Sequence, residues 1–191
     1  MSNILLCGVG GQGTVLASRL IAFAAMEKGE SVRTSETIGM SQRGGCVVSH
    51  VRTGRSIASP MIPKGSADII IAFEPGEAVR NIDYLKPDGT VIVNKKAVKP
   101  VTASLTGSDY DGSAAFGYFE QTGRRMSIVD GDYICEQCGS PKVLNIALLA
   151  SAAATGELGL TVDELKDAIV RFMPGKFHAM NLKAVELVSG T

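Results

Sequence analysis

The sequence lacks several features that would place it in a specialised class of protein. Four cysteines among 191 residues are far too few for a secreted, disulfide-built scaffold, so we expect a reducing, cytoplasmic location. Nineteen basic and nineteen acidic residues cancel, so no overall field attracts nucleic acid or an anionic membrane surface. No uncharged apolar run reaches the roughly 18 residues of a membrane helix, and the N-terminus carries no basic leader. We expect a soluble protein.

Hydrophobic residues make up 45% of the chain and charged residues 20%, which is ordinary for a globular domain. We expect a single domain over residues 1–191. The first elements alternate as strand, glycine loop, helix and strand, at residues 4–7, 8–13, 14–28 and 31–35. This order predicts an α/β fold, a three-layer Rossmann-like sandwich with a mostly parallel sheet and helices on both faces.

The rest of the chain continues this alternation. Three further strands are predicted, at 46–52, 67–73 and 90–94, with a hairpin turn at 53–55 leading into 56–58. Helices are predicted at 77–85, 143–155 and 179–188, and another begins after the capping-box sequence of residues 161–164. Residues 102–123 are rich in Ser, Gly, Asp and Thr, which favours a long irregular segment.

The glycine loop is the first candidate site. Gly8, Gly10, Gly11, Gln12 and Gly13 lie in a G-x-G-x-x-G pattern between a strand and a helix, where backbone N–H groups can bind a pyrophosphate. In a dinucleotide site, Glu36 at the end of the second strand could bind the ribose hydroxyls. Alternatively, the glycines merely permit a tight turn and close packing of helix on strand.

A second motif, Ser41-Gln42-Arg43-Gly44-Gly45, is not part of a dinucleotide fingerprint. With the first loop it resembles the gamma-type domain of the 2-oxoacid:ferredoxin oxidoreductases. The resemblance spans nearly the whole chain. It also rests on His50-Val51-Arg52, Ser66-Ala67-Asp68, the segment from Gly139 to Asn145, and Asn181-Leu182-Lys183-Ala184.

The resemblance implies a subunit of an enzyme that oxidatively decarboxylates a 2-oxoacid, such as indolepyruvate or another aryl pyruvate. The acyl group would pass to coenzyme A and two electrons to ferredoxin. Thiamine diphosphate, Mg and 4Fe-4S clusters would belong to a large partner subunit, in a heterodimer or heterotetramer. A homodimer of the isolated chain stays open.

The chain's own residues agree with a non-redox role. A cluster takes four cysteine thiolates, whereas Cys7 and Cys46 lie in predicted strands, away from the other two. The Gly131-Asp132-Tyr133 segment departs from the Gly-Asp-Gly pattern that anchors the metal of thiamine diphosphate. We therefore expect no catalytic residue and no metal site in this chain alone.

Each remaining polar candidate has two interpretations. Arg43, with the amides of Gly44 and Gly45, could bind an anionic ligand, or it could pair with Glu36 and brace the loop. Gln12 could contact a carbonyl or phosphate, or brace the loop of residues 41–45. His50 is more often a hydrogen-bonded structural residue than a catalyst.

Cys135 and Cys138 have the spacing of half a zinc ribbon, but the other half is missing. Partly buried structural thiols are favoured over a redox or metal role.

The predicted helices at 14–28 and 143–154 are apolar nearly all round. A helix that covers one side of a sheet should have a polar outer face, so both must pack on a further layer. We favour a subunit interface, and an additional layer of this chain is the alternative.

Two other functions remain open on the sequence alone. One is a free-standing NAD(P)- or FAD-binding oxidoreductase built on the glycine loop. The other is a regulatory module that binds coenzyme A or a nucleotide. Dinucleotide binding by the isolated chain would favour the first.

Overall fold

The computed structural model describes residues 1–37, 44–99 and 109–190. Its centre is a six-stranded sheet in the order β2-β3-β1-β4-β5-β6. The pairs β1–β4, β4–β5 and β5–β6 are parallel, whereas β3 runs antiparallel to both β1 and β2. The strands are β1 (Ser2–Val9), β2 (Ser31–Glu36), β3 (Cys46–Gly54), β4 (Ala67–Ala72), β5 (Leu85–Asn94) and β6 (Arg125–Val129).

Helices lie on both sides of this sheet, which confirms the predicted α/β sandwich. They are α1 (Thr14–Glu27), α2 (Pro75–Arg80), α3 (Ser113–Thr122), α4 (Gly131–Cys138), α5 (Leu144–Ala154), α6 (Val162–Phe172) and α7 (His178–Ser189). The predicted capping box begins α6, because the Thr161 hydroxyl accepts from the Glu164 amide while the Glu164 carboxylate accepts from the Thr161 amide.

The two faces of the sheet are covered unequally. Face A, towards which Ile4 and Leu6 point, packs against α1 and α4 to α7. Face B, towards which Leu5 and Cys7 point, packs against the shorter helices α2 and α3 and the segment around Ile62. Successive residues of β1 therefore enter different cores, as the period of a strand requires.

The subunit-interface expectation is wrong for α5. Nine of its eleven residues are buried within this chain, from Asn145 to Ala153. They pack against the sheet and against α4, α6 and α7, so the alternative of an additional layer of the chain is correct. Helix α1 packs on β2, β3 and α6 but leaves Leu16 and Met26 exposed.

Other elements also differ from the sequence predictions. No hairpin forms at residues 53–55, because β3 continues to Gly54, which pairs with Ser31 of β2. Residues 113–122, placed in an irregular segment, form α3, while 100–108 lie outside the described residues. Strand β6 and helix α4 were not predicted. The helix predicted at 77–85 is α2 followed by a short turn of 3-10 helix, Ile82–Tyr84.

Candidate functional site

The glycine loop connects the carboxyl end of β1 to the first turn of α1. Gly11 and Gly13 have φ angles of 103° and 92°, in the left-handed region that favours glycine. Gly13 is the N-cap of α1, and no side chain of the described residues caps this helix. The first N–H groups of α1 have no carbonyl within the helix, so they keep their partial positive charge.

The structure brings the two glycine motifs together. The Gly10 amide donates to the Gly45 carbonyl at 2.8 Å (N to O), and the Gly44 amide donates to the Gly10 carbonyl at 3.2 Å. Both backbone groups of Gly10 are therefore engaged within the chain. The rest of the second motif, Ser41, Gln42 and Arg43, lies outside the described residues.

Gln12 joins two strands instead of the two loops. Its Oε1 accepts from the Val9 amide at 2.7 Å, and its Nε2 donates to the Phe73 carbonyl at 3.1 Å. A Cβ on Gly8 would lie 2.8 Å from Gln12 Oε1 and from Phe73 Cβ, so glycine at position 8 leaves room for this bridge. Gln12 thus fastens the end of β1 to the end of β4.

This bridge lies where the chain changes faces of the sheet. The helix after β1 covers face A, and the helix after β4 covers face B. In open α/β sheets, ligands bind outside the carboxyl ends of the strands at such a switch point. The Gln12 side chain spans this switch point. The space open to a ligand therefore lies beside the glycine loop, towards α1.

An open depression of about 400 Å³ borders the glycine loop. Its lining residues are Gly10, Gly11, Gly13, Thr14, Val15, Arg19 and Val47. A Cβ on Gly11 would have no atom of the described residues within 4 Å, so they leave the loop open on this side. The exposed Arg19 adds a full positive charge to the amides at the start of α1. The arrangement suits a phosphate or another anion.

Arg19 did not emerge from the sequence as a site residue. The sequence held one sign that Arg19 is unusual. It is the one cation within the otherwise apolar α1, and its i, i+4 neighbour is the apolar Phe23. Only the fold shows that this side chain lies beside the glycine loop.

Glu36 is held by the inner side of α1. The Ser18 hydroxyl donates to Glu36 Oε1 at 2.6 Å, and Ser18 itself is fully buried. Its predicted partner Arg43 lies outside the described residues, so the loop brace stays a prediction.

A second polar cluster, missed by the sequence analysis, surrounds the start of α2. Glu77 is buried, accepts a hydrogen bond from the Cys46 thiol and pairs with the Arg80 guanidinium at 2.7 Å. Burial and the neighbouring Glu77 raise the pKa values of both the Cys46 and the Cys7 thiols. A protonated Cys46 is thus a stable donor to Glu77, and these groups fasten α2 to the sheet.

Glu74 extends the same cluster. Its carboxylate caps α2 by accepting from the Glu77 amide at 2.9 Å and also accepts from the Tyr110 hydroxyl. Tyr110 in turn accepts from the Gly76 amide at 3.0 Å. Burial, followed by the negative Glu74, raises the pKa of Tyr110, so the phenol stays protonated and continues to donate.

The two histidines have structural roles. His50 is buried, as expected of a structural histidine, and its Nδ1 accepts from the Ile62 amide at 3.3 Å. Burial lowers the pKa of His50, which keeps the ring neutral. His178 lies 2.7 Å from the Met173 carbonyl at the start of α7.

The cysteines do not fit an iron–sulfur cluster. Cys7 and Cys46 flank Glu77, whereas Cys135 and Cys138 lie on α4, so four thiolates do not converge. The two α4 thiols are partly buried, as expected. Across the part of the chain that is described, no three His, Cys, Asp or Glu side chains are grouped to hold a metal ion.

The segment 131–133 does not fit a thiamine diphosphate anchor either. It opens α4, where the Gly131 amide donates to Asn94 Oδ1 and Asp132 pairs with Lys96.

In residues 1–37, 44–99 and 109–190, no helix has both the length and the hydropathy to cross a bilayer.

Known proteins resemble the chain over its length. It is 35% identical over 187 residues to the indolepyruvate oxidoreductase subunit IorB of Thermococcus kodakarensis. This match covers 97% of this chain and 93% of that protein. The gamma subunit of a keto/oxoacid ferredoxin oxidoreductase from Geobacter sulfurreducens has the same fold, with a TM-score of 0.71 at 20% identity, and the match covers 100% of this chain and 97% of that one.

The fold also matches part of a larger protein. In the 2-oxoglutarate:ferredoxin oxidoreductase of Magnetococcus marinus, the match has a TM-score of 0.70 at 18% identity and covers 99% of this chain but 31% of that one. The family model described as pyruvate ferredoxin/flavodoxin oxidoreductase matches residues 3–189, so this chain belongs to that family.

Proposed function

We propose that this chain is the non-redox subunit of a 2-oxoacid:ferredoxin oxidoreductase in the cytoplasm. A larger partner subunit carries the thiamine diphosphate, Mg and 4Fe-4S clusters, and ferredoxin is reduced by the complex. Two observations support this division. The IorB relative is a subunit of nearly the same length, and the cysteines of this chain lie at two separate places.

We also propose indolepyruvate or another aryl pyruvate as the substrate, since the relatives at 35% identity are named indolepyruvate oxidoreductase subunits. In the overall reaction the carboxylate leaves as carbon dioxide, the acyl group joins the coenzyme A sulfur, and two electrons pass to two ferredoxins. The redox steps belong to the partner's cofactors.

The contribution of this chain is to bind an anionic group of the co-substrate beside the glycine loop. One observation carries this proposal: Arg19 and the start of α1, whose first amides have no partner among the described residues, border the same open depression of about 400 Å³. The Magnetococcus marinus enzyme was solved with coenzyme A and succinyl-CoA bound, so coenzyme A is the anion to test first.

We place Ser41, Gln42 and Arg43 in the same ligand-facing region. The support is local, since Gly44 and Gly45 directly follow them and are bonded to Gly10. Dinucleotide binding has less support, because the Gly10 amide is already paired and the Gln12 side chain spans the switch point.

The first experiment tests the division of labour. The isolated chain should be inactive, and co-expression with the large subunit should give reduction of ferredoxin or a viologen dye that depends on both indolepyruvate and coenzyme A. Activity of the isolated chain, or its stoichiometric binding of NAD, NADP or FAD, would contradict the proposal.

The second experiment tests the depression. In the assembled enzyme, Arg19→Gln should raise the KM for coenzyme A roughly tenfold, equivalent to the loss of about 1.4 kcal/mol, while the KM for the 2-oxoacid stays the same. Arg33→Gln is the matched control, because Arg33 is an exposed arginine on the edge strand β2. Equal KM values in both variants would rule out the anion site.

A further inference from the structure

Helix α4 ends in a pair of cysteines that the proposed function does not use. Cys135 and Cys138 are three residues apart on one helix, and both are partly exposed to solvent. The Cys135 thiol donates to the Pro141 carbonyl at 3.7 Å. The pair therefore lies at the surface, next to the turn that leads into α5.

The spacing suits an intramolecular bond. In an α-helix, residues i and i+3 have Cα atoms about 5 Å apart, and disulfides span Cα distances of about 4.4–6.8 Å. The Cβ atoms of such a pair are about 5–6 Å apart on a regular helix, whereas a disulfide needs about 3.5–4.5 Å. Closure thus requires a local movement of about 1 Å.

The position of the pair permits this movement. Cys138 is the last residue of α4, and Gly139 follows with a φ angle of 68°, so the helix stops there. The last turn of a helix yields more easily than its interior because its carbonyls are not all bonded within the helix. Lys183 of α7 holds the Gln137 carbonyl from outside, so the turn stays attached to the fold while it adjusts.

The other two cysteines lie in adjacent strands instead of at a helix end, and both thiols are hydrogen-bonded to Glu77, although Cys46 is exposed. Cys7 is fully buried in β1, and its thiol donates to the Glu77 carbonyl at 3.5 Å. The thiol of Cys46 is held by the Glu77 carboxylate. The chain thus contains both a candidate pair and two internal controls.

We propose that Cys135 and Cys138 form a reversible dithiol–disulfide site that exchanges with small-molecule disulfides. One thiolate attacks the external disulfide, giving a mixed disulfide and releasing one small thiol. The second thiolate then attacks the bonded protein sulfur and releases the second small thiol. The protein loses two electrons and two protons, and the external disulfide is reduced to two thiols.

The environment predicts how this site behaves. Burial raises the pKa of both thiols, and Asp132 and Cys138 raise that of Cys135 further, so the thiolate fraction is small at neutral pH and exchange is faster at alkaline pH. A bridge that distorts a helix end is strained, and strained, exposed disulfides are readily reduced. We therefore expect a labile, reversible bond.

The test uses the full-length chain, reduced and then incubated with oxidised glutathione at pH 8. Alkylation followed by intact-mass and peptide analysis should show the loss of two hydrogen atoms and of two alkylation sites in the peptide that contains residues 135 and 138. Dithiothreitol should restore both sites. Cys46→Ser should close the bridge as the wild type does.

Single variants trap the intermediate. Cys135→Ser and Cys138→Ser should each keep a stable glutathione adduct on the remaining α4 thiol, because no second thiol resolves it. Three results would each overturn the proposal: a persistent glutathione adduct on an α4 thiol of the wild type, a bridge that involves Cys7 or Cys46, or no reaction at either α4 thiol.

Discussion

The two faces of the sheet are covered by layers of different kinds. Face A is covered by α5, which is buried almost all round, and by the helices that enclose it. Face B is covered by two short helices and the segment around Ile62. Buried polar groups hold parts of this layer, since Glu74 and Glu77 bond at the start of α2 and His50 accepts from the Ile62 amide. Face A therefore rests mainly on apolar packing, whereas face B depends on hydrogen bonds that must all be made.

The largest effect is expected in the packed layer of face A. Leu148→Ala removes a fully buried side chain of α5 and should lower the free energy of unfolding by about 2–5 kcal/mol. Leu16→Ala is the matched control on α1, where the side chain is 38% exposed, and should change stability by less than about 0.5 kcal/mol. Urea denaturation measures both, and similar losses would contradict the assignment of α5 to the core.

The second-largest loss of stability is expected at the start of the glycine loop, beside the Gln12 bridge between β1 and β4. Gly8→Ala places a methyl group 2.8 Å from Gln12 Oε1 and Phe73 Cβ and should cost about 1–3 kcal/mol, because the bridge between β1 and β4 must shift. Gly117→Ala in α3 meets no atom of residues 1–37, 44–99 or 109–190 within 4 Å and should be neutral or stabilising. A stable Gly8→Ala protein would mean that the bridge is not tight.

A smaller loss is expected on face B. Tyr110→Phe removes the hydroxyl that donates to Glu74 and accepts from Gly76, at an expected cost of about 1–2 kcal/mol in thermal or urea unfolding. Tyr133→Phe is the control, since that side chain is 55% exposed on α4. If both variants unfold alike, the Glu74 contacts do not stabilise face B.

The smallest effect concerns pH. Burial lowers the pKa of His50 below its unfolded value of about 6.5, so the unfolded chain binds more protons as the pH falls. The stability that depends on neutral His50 is fully present above pH 6.5 and is lost as the pH falls towards the folded pKa. Urea midpoints at pH 7.5 and 5.5 should therefore differ less in His50→Asn than in the wild type.

An unchanged difference between the two midpoints in His50→Asn would show that another group causes the loss at low pH.

Local patterns predicted the elements that a short window of sequence defines. The apolar run of β4, the glycine stop after α1 and the capping box of α6 each depend on neighbouring residues. The insertion of β3 between β1 and β2 was not predictable in this way, because strand order depends on pairing between distant segments. The apolar composition of α5 predicted a covered helix but could not identify what covers it.

The candidate site shows the same limit. The two glycine motifs were visible in the sequence, but their mutual hydrogen bonds at Gly10 were not. Arg19 and the Glu74–Glu77 cluster were missed because their roles depend on elements far away in sequence. The hairpin at 53–55 was wrong because Gly54, which resembles a turn residue locally, pairs with Ser31 inside the sheet.

The positions of strands and covering helices in the sequence also determine how long an apolar strand stays uncovered during synthesis. The fully buried residues of β4 have their partners in β1 and β5, and helix α5, which packs on β4, begins at Leu144. At a synthesis rate of about 5–20 residues per second, the roughly 70 residues between Ala72 and Leu144 take about 4–14 s to appear. During that time an apolar strand has no complete cover, so the nascent chain depends on early pairing or on a chaperone to avoid aggregation.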